Sequence, residues 1–264
     1  QQIIVTLRPE RHEAVSGIVD LCDRHGMECL VAPDLQQMIV GGHRYDEIAG
    51  IPVIHVKGLR MRGVPAFIKR ASDVVLTIII LIPTLPLMLL IGAAIRIDSP
   101  GPIFYMQKRV GLDGRVFWMY KFRSMRTNVE AQQGPGWSRE EDPRVTRLGT
   151  ILRKLSLDEL PQIFNVLRGN MSLVGPRPER PFFVEQFEKD VPRYMQRHRV
   201  KAGMTGWAQV NGLRGDTSIE ERVQFDLYYI ENWSLIFDLK IMILTAVDIF
   251  REIPGLTARF RTKN

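Results

Sequence analysis

The sequence has little cysteine. Among 264 residues only Cys22 and Cys29 occur, not spaced as CxxC, and no two of the five histidines stand at metal-ligand spacing. That excludes a disulfide scaffold and a Cys/His zinc site, and the thiols read as reduced in a cytosol-facing protein. No glycine-rich dinucleotide fingerprint follows any strand-like run in the first sixty residues, so no nucleotide is expected there. Internal repeats and low-complexity tracts are missing, as are an initiator Met and a signal-peptide pattern. Because it opens abruptly on the strand-like IIVTL, the chain is expected to be an excerpt of a longer protein. Acidic residues are in deficit, 29 against 36 Lys and Arg, giving +7 and a pI near 9.6. Nucleic acid, an anionic membrane face or a phosphate-rich substrate would each answer that charge. With 45% apolar and 25% charged residues, wholesale disorder is excluded.

Several short elements are legible in what is there. IIVTL (3–7), ECLVA (28–32) and IPVIHV (51–56) read as buried strands, and HEAVSGIVDLCDRHG (12–26) has helical apolar spacing. This predicts a β-α-β pattern, as in an open α/β sheet. Sixty residues bury too little surface to be comfortably stable alone, so residues 1–60 are expected to be part of a domain. A basic joint (57–70) follows, and then an uncharged run from Val74 to Ile95. It is long enough to span a bilayer as a helix, which needs about 20 apolar residues. Pro83 and Pro86 interrupt it near the middle, where each removes a backbone hydrogen bond. Basic residues flank both ends, Lys69 and Arg70 before, Arg96, Lys108 and Arg109 after, so charge gives no direction of crossing. A re-entrant helix-break-helix over about 74–97 answers both observations, provided the carbonyls freed at the break find donors. The apolar dip also gives the basic surface a better home than nucleic acid does.

After Asp98 the chain becomes soluble in character. SPGPIFYMQKRVGLDGRVFWMYKFRSM reads as a β-hairpin carrying Lys121 and Arg123 at its end. Residues 130–144 form a polar Gly/Pro loop able to close over a ligand. Helices are predicted through RLGTILRKL, from Phe182 to His198, and over SIEERVQFDLYYIEN and SLIFDLKIMILTAVDIF; residues 201–215 read as a glycine-punctuated loop. The last helix carries Asp238, Lys240 and Asp248, and is expected to lie in the membrane interface or pack on the core.

SLDELPQIFN (156–165) sets Asp158 and Glu159 together ahead of Pro161, a residue tolerated in a helix's first turn. Ser156 and Glu159 match a capping box, and capping alone explains much of the composition. The same position favours phosphate, and its field would lower the pKa of Asp158. An ionised, weakly basic carboxylate can attack phosphorus and then leave. Glu159 beside it could hold Mg²⁺, a hard cation suited to one or two carboxylates plus phosphate oxygens. Arg153 lies about one helical turn upstream, and Arg177 is fixed between prolines in GPRPERP. Both are placed to offset the charge of a phosphorylated substrate.

From Lys69 to Phe250 the chain resembles the bacterial sugar transferases of the monotopic phosphoglycosyl transferase superfamily, of the undecaprenyl-phosphate glucose-phosphotransferase type. KRASD, SPGPIFYMQKRVG, YKFRSM, LRKLSLDELPQIFNVLRGNMSLVGPRP, GMTGWAQVNG and DLYYIENWS carry the resemblance, in one order. It implies an α+β fold: a mainly helical catalytic domain, 61–264, with a small β-hairpin and a re-entrant membrane helix, preceded by a partial Rossmann-like domain, 1–60. It implies Asp158 as nucleophile, Glu159 as the Mg²⁺-associated partner, Arg153 and Arg177 on phosphate, Arg70 on the polyprenyl phosphate, and Lys121 and Arg123 as substrate contacts. The donor it implies is a UDP-sugar, the setting the cytoplasmic face of the bacterial inner membrane among its lipids, and the assembly a homodimer. One departure is visible. The family often breaks its helix at Ser-Pro, whereas this chain has Leu85-Pro86 with Pro83 as an extra break, and the serine hydroxyl is missing. A Mg²⁺-dependent lipid-phosphate hydrolase and an idle membrane anchor are the rival readings.

Overall fold

The β-branched runs near the N-terminus do form strands. The computed structural model describes residues 2–6, 18, 21, 28–32, 46–48, 51–55, 61, 63–125, 144–215 and 217–252, in two compact units, Gln1–Arg60 and Met61–Asn264. The expected helix over 12–26, apart from Ile18 and Leu21, and the loop over 130–144, apart from Arg144, lie outside the described residues, as does Cys22.

In the first unit β1 (Gln2–Val5), β2 (Glu28–Val31), β3 (Asp46–Ile48) and β4 (Ile51–His55) make one sheet in the order β1-β2-β4-β3. β1 and β2 are parallel, as a crossover requires, and helical Ile18 packs on Val5 and Cys29 beneath them. β4 runs antiparallel to both neighbours, so the sheet is mixed.

The second unit is mostly helical and begins with α1 (Val64–Asp98), one helix of 35 residues. It starts ten residues before the apolar run, so Lys69 and Arg70 are part of it, and it continues through Pro83 and Pro86. At about 1.5 Å per residue it is roughly 50 Å long, more than a bilayer's hydrocarbon core. It is the one helix among the described residues long and apolar enough to cross a membrane. Ile82, Leu89 and Leu90 are each about 70% exposed, an apolar surface that water alone would not favour. Between the prolines, the Thr84 hydroxyl donates to the carbonyls of Ile80 at 2.8 Å and Leu81 at 3.3 Å. Such back-bonding bends helices, but it does not reach the carbonyls of Ile79 and Ile82, which lose their amide donors to Pro83 and Pro86.

The other face of α1 is held to the unit at both ends. Near its start, Asp73 accepts hydrogen bonds from the hydroxyl of Ser172 and the amide of Leu173, and Lys69 pairs with Asp238. Near its finish, Met88, Ile91 and Ile95 form a core with Phe122 and Leu152. The hairpin is β5 (Phe104–Val110) and β6 (Val116–Phe122), and the next described helix is α2 (Arg147–Lys154), capped by the Thr146 hydroxyl on the amide of Gly149. Next come α3 (Gln162–Arg168), β7 (Ser172–Val174) and α4 (Pro181–Asp190). The helix expected from Phe182 to His198 is broken at Val191–Arg193 and resumes as a 3-10 helix, Tyr194–Arg199.

The glycine-punctuated segment is not a loop throughout. It forms β8 (Gly203–Thr205), parallel to β7, and the single turn α5 (Trp207–Val210). A Cβ on Gly203 would lie 2.1 Å from the amide nitrogen of Gly175, so glycine is required by close backbone approach. The chain closes with α6 (Ile219–Glu231) and α7 (Leu235–Glu252), in which Asp238 is buried while Ile236, Leu239 and Ile243 are exposed.

Candidate active site

Ser156 adopts a left-handed conformation, φ 53°, uncommon for any residue with a Cβ. It turns the chain out of α2 into one 3-10 turn, Leu157–Glu159, and α3 begins only after Pro161, its N-cap. Leu157 and Leu160 pack into the core that α1, β6 and α2 share. Asp158 and Glu159 are therefore carried on a turn anchored by a leucine on each side.

The capping box does not form. Ser156 makes no side-chain capping bond, and the Glu159 carboxylate turns to partners distant in sequence. Its Oε1 accepts from Lys121 Nζ at 2.8 Å and Arg177 Nη2 at 2.6 Å, and its Oε2 from Arg177 Nη1 at 3.2 Å. The fork-on-carboxylate geometry is the strong form of this pair. Lys121 is aimed by Asn165 of α3, whose side chain accepts from the amide of Tyr120 and donates to the carbonyl of Trp118. The Arg177 loop is held from the hairpin, where Arg109 donates to the carbonyl of Pro178 and the amide of Val110 to that of Glu179.

Asp158 is 8% exposed, and its carboxylate accepts no hydrogen bond among the described residues. Burial pushes its pKa up to about 6, with Lys121 opposing and the neighbouring Glu159 charge adding to the rise. This reverses the expected direction: desolvation outweighs the field of a short helix that starts beyond it. Burial acts on Glu159 in the same sense, but Arg177 and Lys121 overcome it and hold that carboxyl well below its ordinary value. Two adjacent carboxylates are thus driven apart, one paired with two cations, the other ionised at neutral pH yet desolvated and more basic than usual. Arg153, in the last turn of α2, opposes the rise in the Asp158 pKa with its charge, and its guanidinium has no hydrogen bond among the described residues.

Asp158, Glu159, Lys121, Arg153 and Arg177 are brought together. Arg123 and Arg70 are not. Arg123 is 5% exposed and donates to the carbonyls of Ser99 and Pro100, closing the C-terminal end of α1 rather than facing a substrate. Arg70 donates to the carbonyls of Val166 and Leu167, at the end of α3 away from the carboxylates. It lines a cavity of about 100 Å³ with Lys69, Ser172, Arg199 and Lys201, which shares no lining residue with the carboxylate cluster. Asn165 and Arg109, which aim the two cations, escaped the sequence reading. Asn165 leaves a trace as a polar side chain inside an apolar pattern, whereas Arg109 stands in the polar run Gln107–Arg109.

No group of three or more His, Cys, Asp or Glu among the described residues could enclose a metal ion. A divalent cation here would need phosphate oxygens to complete its ligands, as Mg²⁺ commonly does.

Residues 64–252 match the family described as bacterial sugar transferase. The chain belongs to the bacterial sugar transferase family. It is 41% identical over 258 residues to the UDP-glucose:undecaprenyl-phosphate glucose-1-phosphate transferase of Xanthomonas campestris pv. campestris, covering 96% of this chain and 53% of that protein. It is 48% identical over 196 residues to the UDP-N-acetylgalactosamine-undecaprenyl-phosphate N-acetylgalactosaminephosphotransferase of Aeromonas hydrophila, covering 74% of this chain and 45% of that protein. The exopolysaccharide production protein PSS of Rhizobium leguminosarum bv. phaseoli is 42% identical over 187 residues, 68% of this chain and 94% of that protein. The chain spans about half the length of the first two of these curated relatives.

Proposed function

We propose that this bacterial sugar transferase moves a sugar 1-phosphate from a UDP-sugar to undecaprenyl phosphate through a phosphosugar ester on Asp158. The observation that carries the reading is the split pair: an unpaired, desolvated carboxylate beside one clamped by Lys121 and Arg177. Asp158 Oδ attacks the phosphorus bearing the sugar. An oxygen–phosphorus bond forms, the bond to the bridging oxygen breaks, and UMP leaves with that oxygen. A phosphate oxygen of the polyprenyl acceptor then attacks the same phosphorus, and Asp158 leaves as carboxylate. Arg153 and Arg177 receive the diphosphate's charge, Arg177 by releasing Glu159. Glu159 with donor phosphate oxygens would then hold Mg²⁺, and a bound ion offsets the charge developing on the leaving phosphate. Both relatives named for a sugar are named for a UDP-linked one, which supports the donor class.

We read residues 61–264 as the transferase domain and 1–60 as part of a Rossmann-like domain. α1 is read as re-entrant, at the cytoplasmic face of the inner membrane. Its two ends meet the same unit, through Lys69 and Asp73 at one end and Ile91 and Ile95 at the other. A helix crossing to the opposite face would carry one end away. In a protein whose native cysteines are replaced, Ala66→Cys and Arg115→Cys should both react with an impermeant reagent from the cytoplasmic side. Reaction from opposite faces would establish a spanning helix. The homodimer belongs to the same proposal, and mass measurement of the extracted protein tests it.

Incubation with UDP-sugar alone separates the reactions. Single-turnover release of UMP with the sugar label kept on the protein is the expected result. Free sugar phosphate would indicate a hydrolase, and no release an anchor.

A further inference from the structure

Arg177 projects from a loop with few hydrogen bonds of its own, because Pro176 and Pro178 have no N–H to donate. What can be held is the carbonyl side, and all three carbonyls from 177 to 179 are taken. Arg109 takes that of Pro178, the amide of Val110 that of Glu179, and Arg197 Nη2 that of Arg177 itself, at 2.9 Å. We propose that Arg197, with Asp226 as its counter-charge, is a positioning residue for Arg177. This rests on reading Arg177 as a phosphate-binding group.

Arg197 lies on the 3-10 helix Tyr194–Arg199 and is 2% exposed. Its Nη2 also donates to Asp226 Oδ2 of α6 at 2.7 Å, and its Nη1 to the Tyr194 hydroxyl at 3.1 Å. The Asp226 side chain is buried to the same degree. A buried ion pair is a weak source of stability, and a well-packed apolar pair in its place is often neutral or better. The cost is raised further here, since Arg197 Nε is buried without a partner. What an apolar pair could not do is donate to the carbonyl of Arg177. A guanidinium braced on Asp226 from α6 and on Tyr194 from its own turn fixes that carbonyl from two directions. The Arg177 fork leaves the same residue's backbone, so a shift in the carbonyl is passed to the guanidinium. Misplacement of about 1 Å at a reacting group can cost on the order of a hundredfold in rate.

The test is a double-mutant cycle on turnover. Arg197→Met combined with Asp226→Leu removes both charges together, so neither is left buried without its counter-charge. This protein should fold, and its kcat/KM should fall about tenfold to a hundredfold. In an Arg177→Ala background the same pair of changes should cost no more than about twofold, because the group being positioned is gone. Arg197→Lys keeps the charge toward Asp226 but loses the forked reach. It should reproduce the loss and the non-additivity, and it serves where the apolar pair fails to fold. Equal losses in both backgrounds would reduce Arg197 to general packing and overturn this proposal alone. Unchanged kinetics in a folded Arg197→Met/Asp226→Leu protein would overturn it too. Full turnover by Arg177→Ala would overturn it together with the phosphate-binding role of Arg177.

Discussion

Two charged clusters in the Met61–Asn264 unit invite comparison. At the foot of α1, Lys69 bridges Asp73 at 3.1 Å and Asp238 at 2.9 Å. Asp73 also accepts from Ser172 and Leu173, and Asp238 from the Tyr229 hydroxyl and the Trp233 indole. All three charged groups are less than a tenth exposed. At the head of α3 the pairing stops short. Glu159 is saturated by Lys121 and Arg177, while the side chains of Asp158 and Arg153 have no hydrogen bond among the described residues. A closed network fixes geometry, and losing one member strands a charge. An open one leaves a carboxylate and a guanidinium available to a ligand.

The comparison breaks most sharply under substitution of its aspartates. Asp158→Asn should abolish turnover while leaving folding and detergent extraction intact, as activity and thermal unfolding would show together. Asp73→Ala should instead cost about 1–3 kcal/mol of stability by denaturant unfolding, because the buried Leu173 amide loses its acceptor while Lys69 keeps Asp238. A smaller effect is expected at Arg177. Arg177→Lys keeps the charge but not the planar fork, and turnover should fall about tenfold to a hundredfold. Its melting temperature should stay within about a degree or two of wild type.

Much of this contrast was legible in the sequence, and what was not has one cause. The hairpin, α2, α6 and α7 follow from local apolar spacing, and Asp158, Glu159, Arg153 and Arg177 stand out by local chemistry, whereas Lys121 comes only with the family resemblance. The failures are long-range. Ser-x-x-Glu spells a capping box, yet Glu159 is claimed by partners 38 residues before it and 18 after. That Arg70 and Arg123 rest on carbonyls at helix ends could not be read from the sequence, since those carbonyls lie far along the chain. β8 was hidden because its partner strand lies some thirty residues away. The rise in the Asp158 pKa was hidden because burial is a property of packing.

That pKa supplies the gentlest test. Asp158 must be ionised to attack, so kcat should fall roughly tenfold per pH unit as pH drops below about 6. Stability runs the other way. The folded pKa, about 6, lies above the ordinary 3.8, so the native state holds this proton more tightly than the unfolded chain. Wild type should gain stability relative to Asp158→Asn as pH falls from about 6 towards 4, a difference that paired thermal unfolding curves would register.

The central claim, that Asp158 is the atom-transferring group, is tested most directly by trapping the protein during single turnover with a labelled UDP-sugar and mapping the adduct by peptide mass spectrometry. A sugar-phosphate mass increment on Asp158, missing from Asp158→Asn, is the predicted result. An adduct on any other residue, or normal turnover by Asp158→Asn, would contradict it.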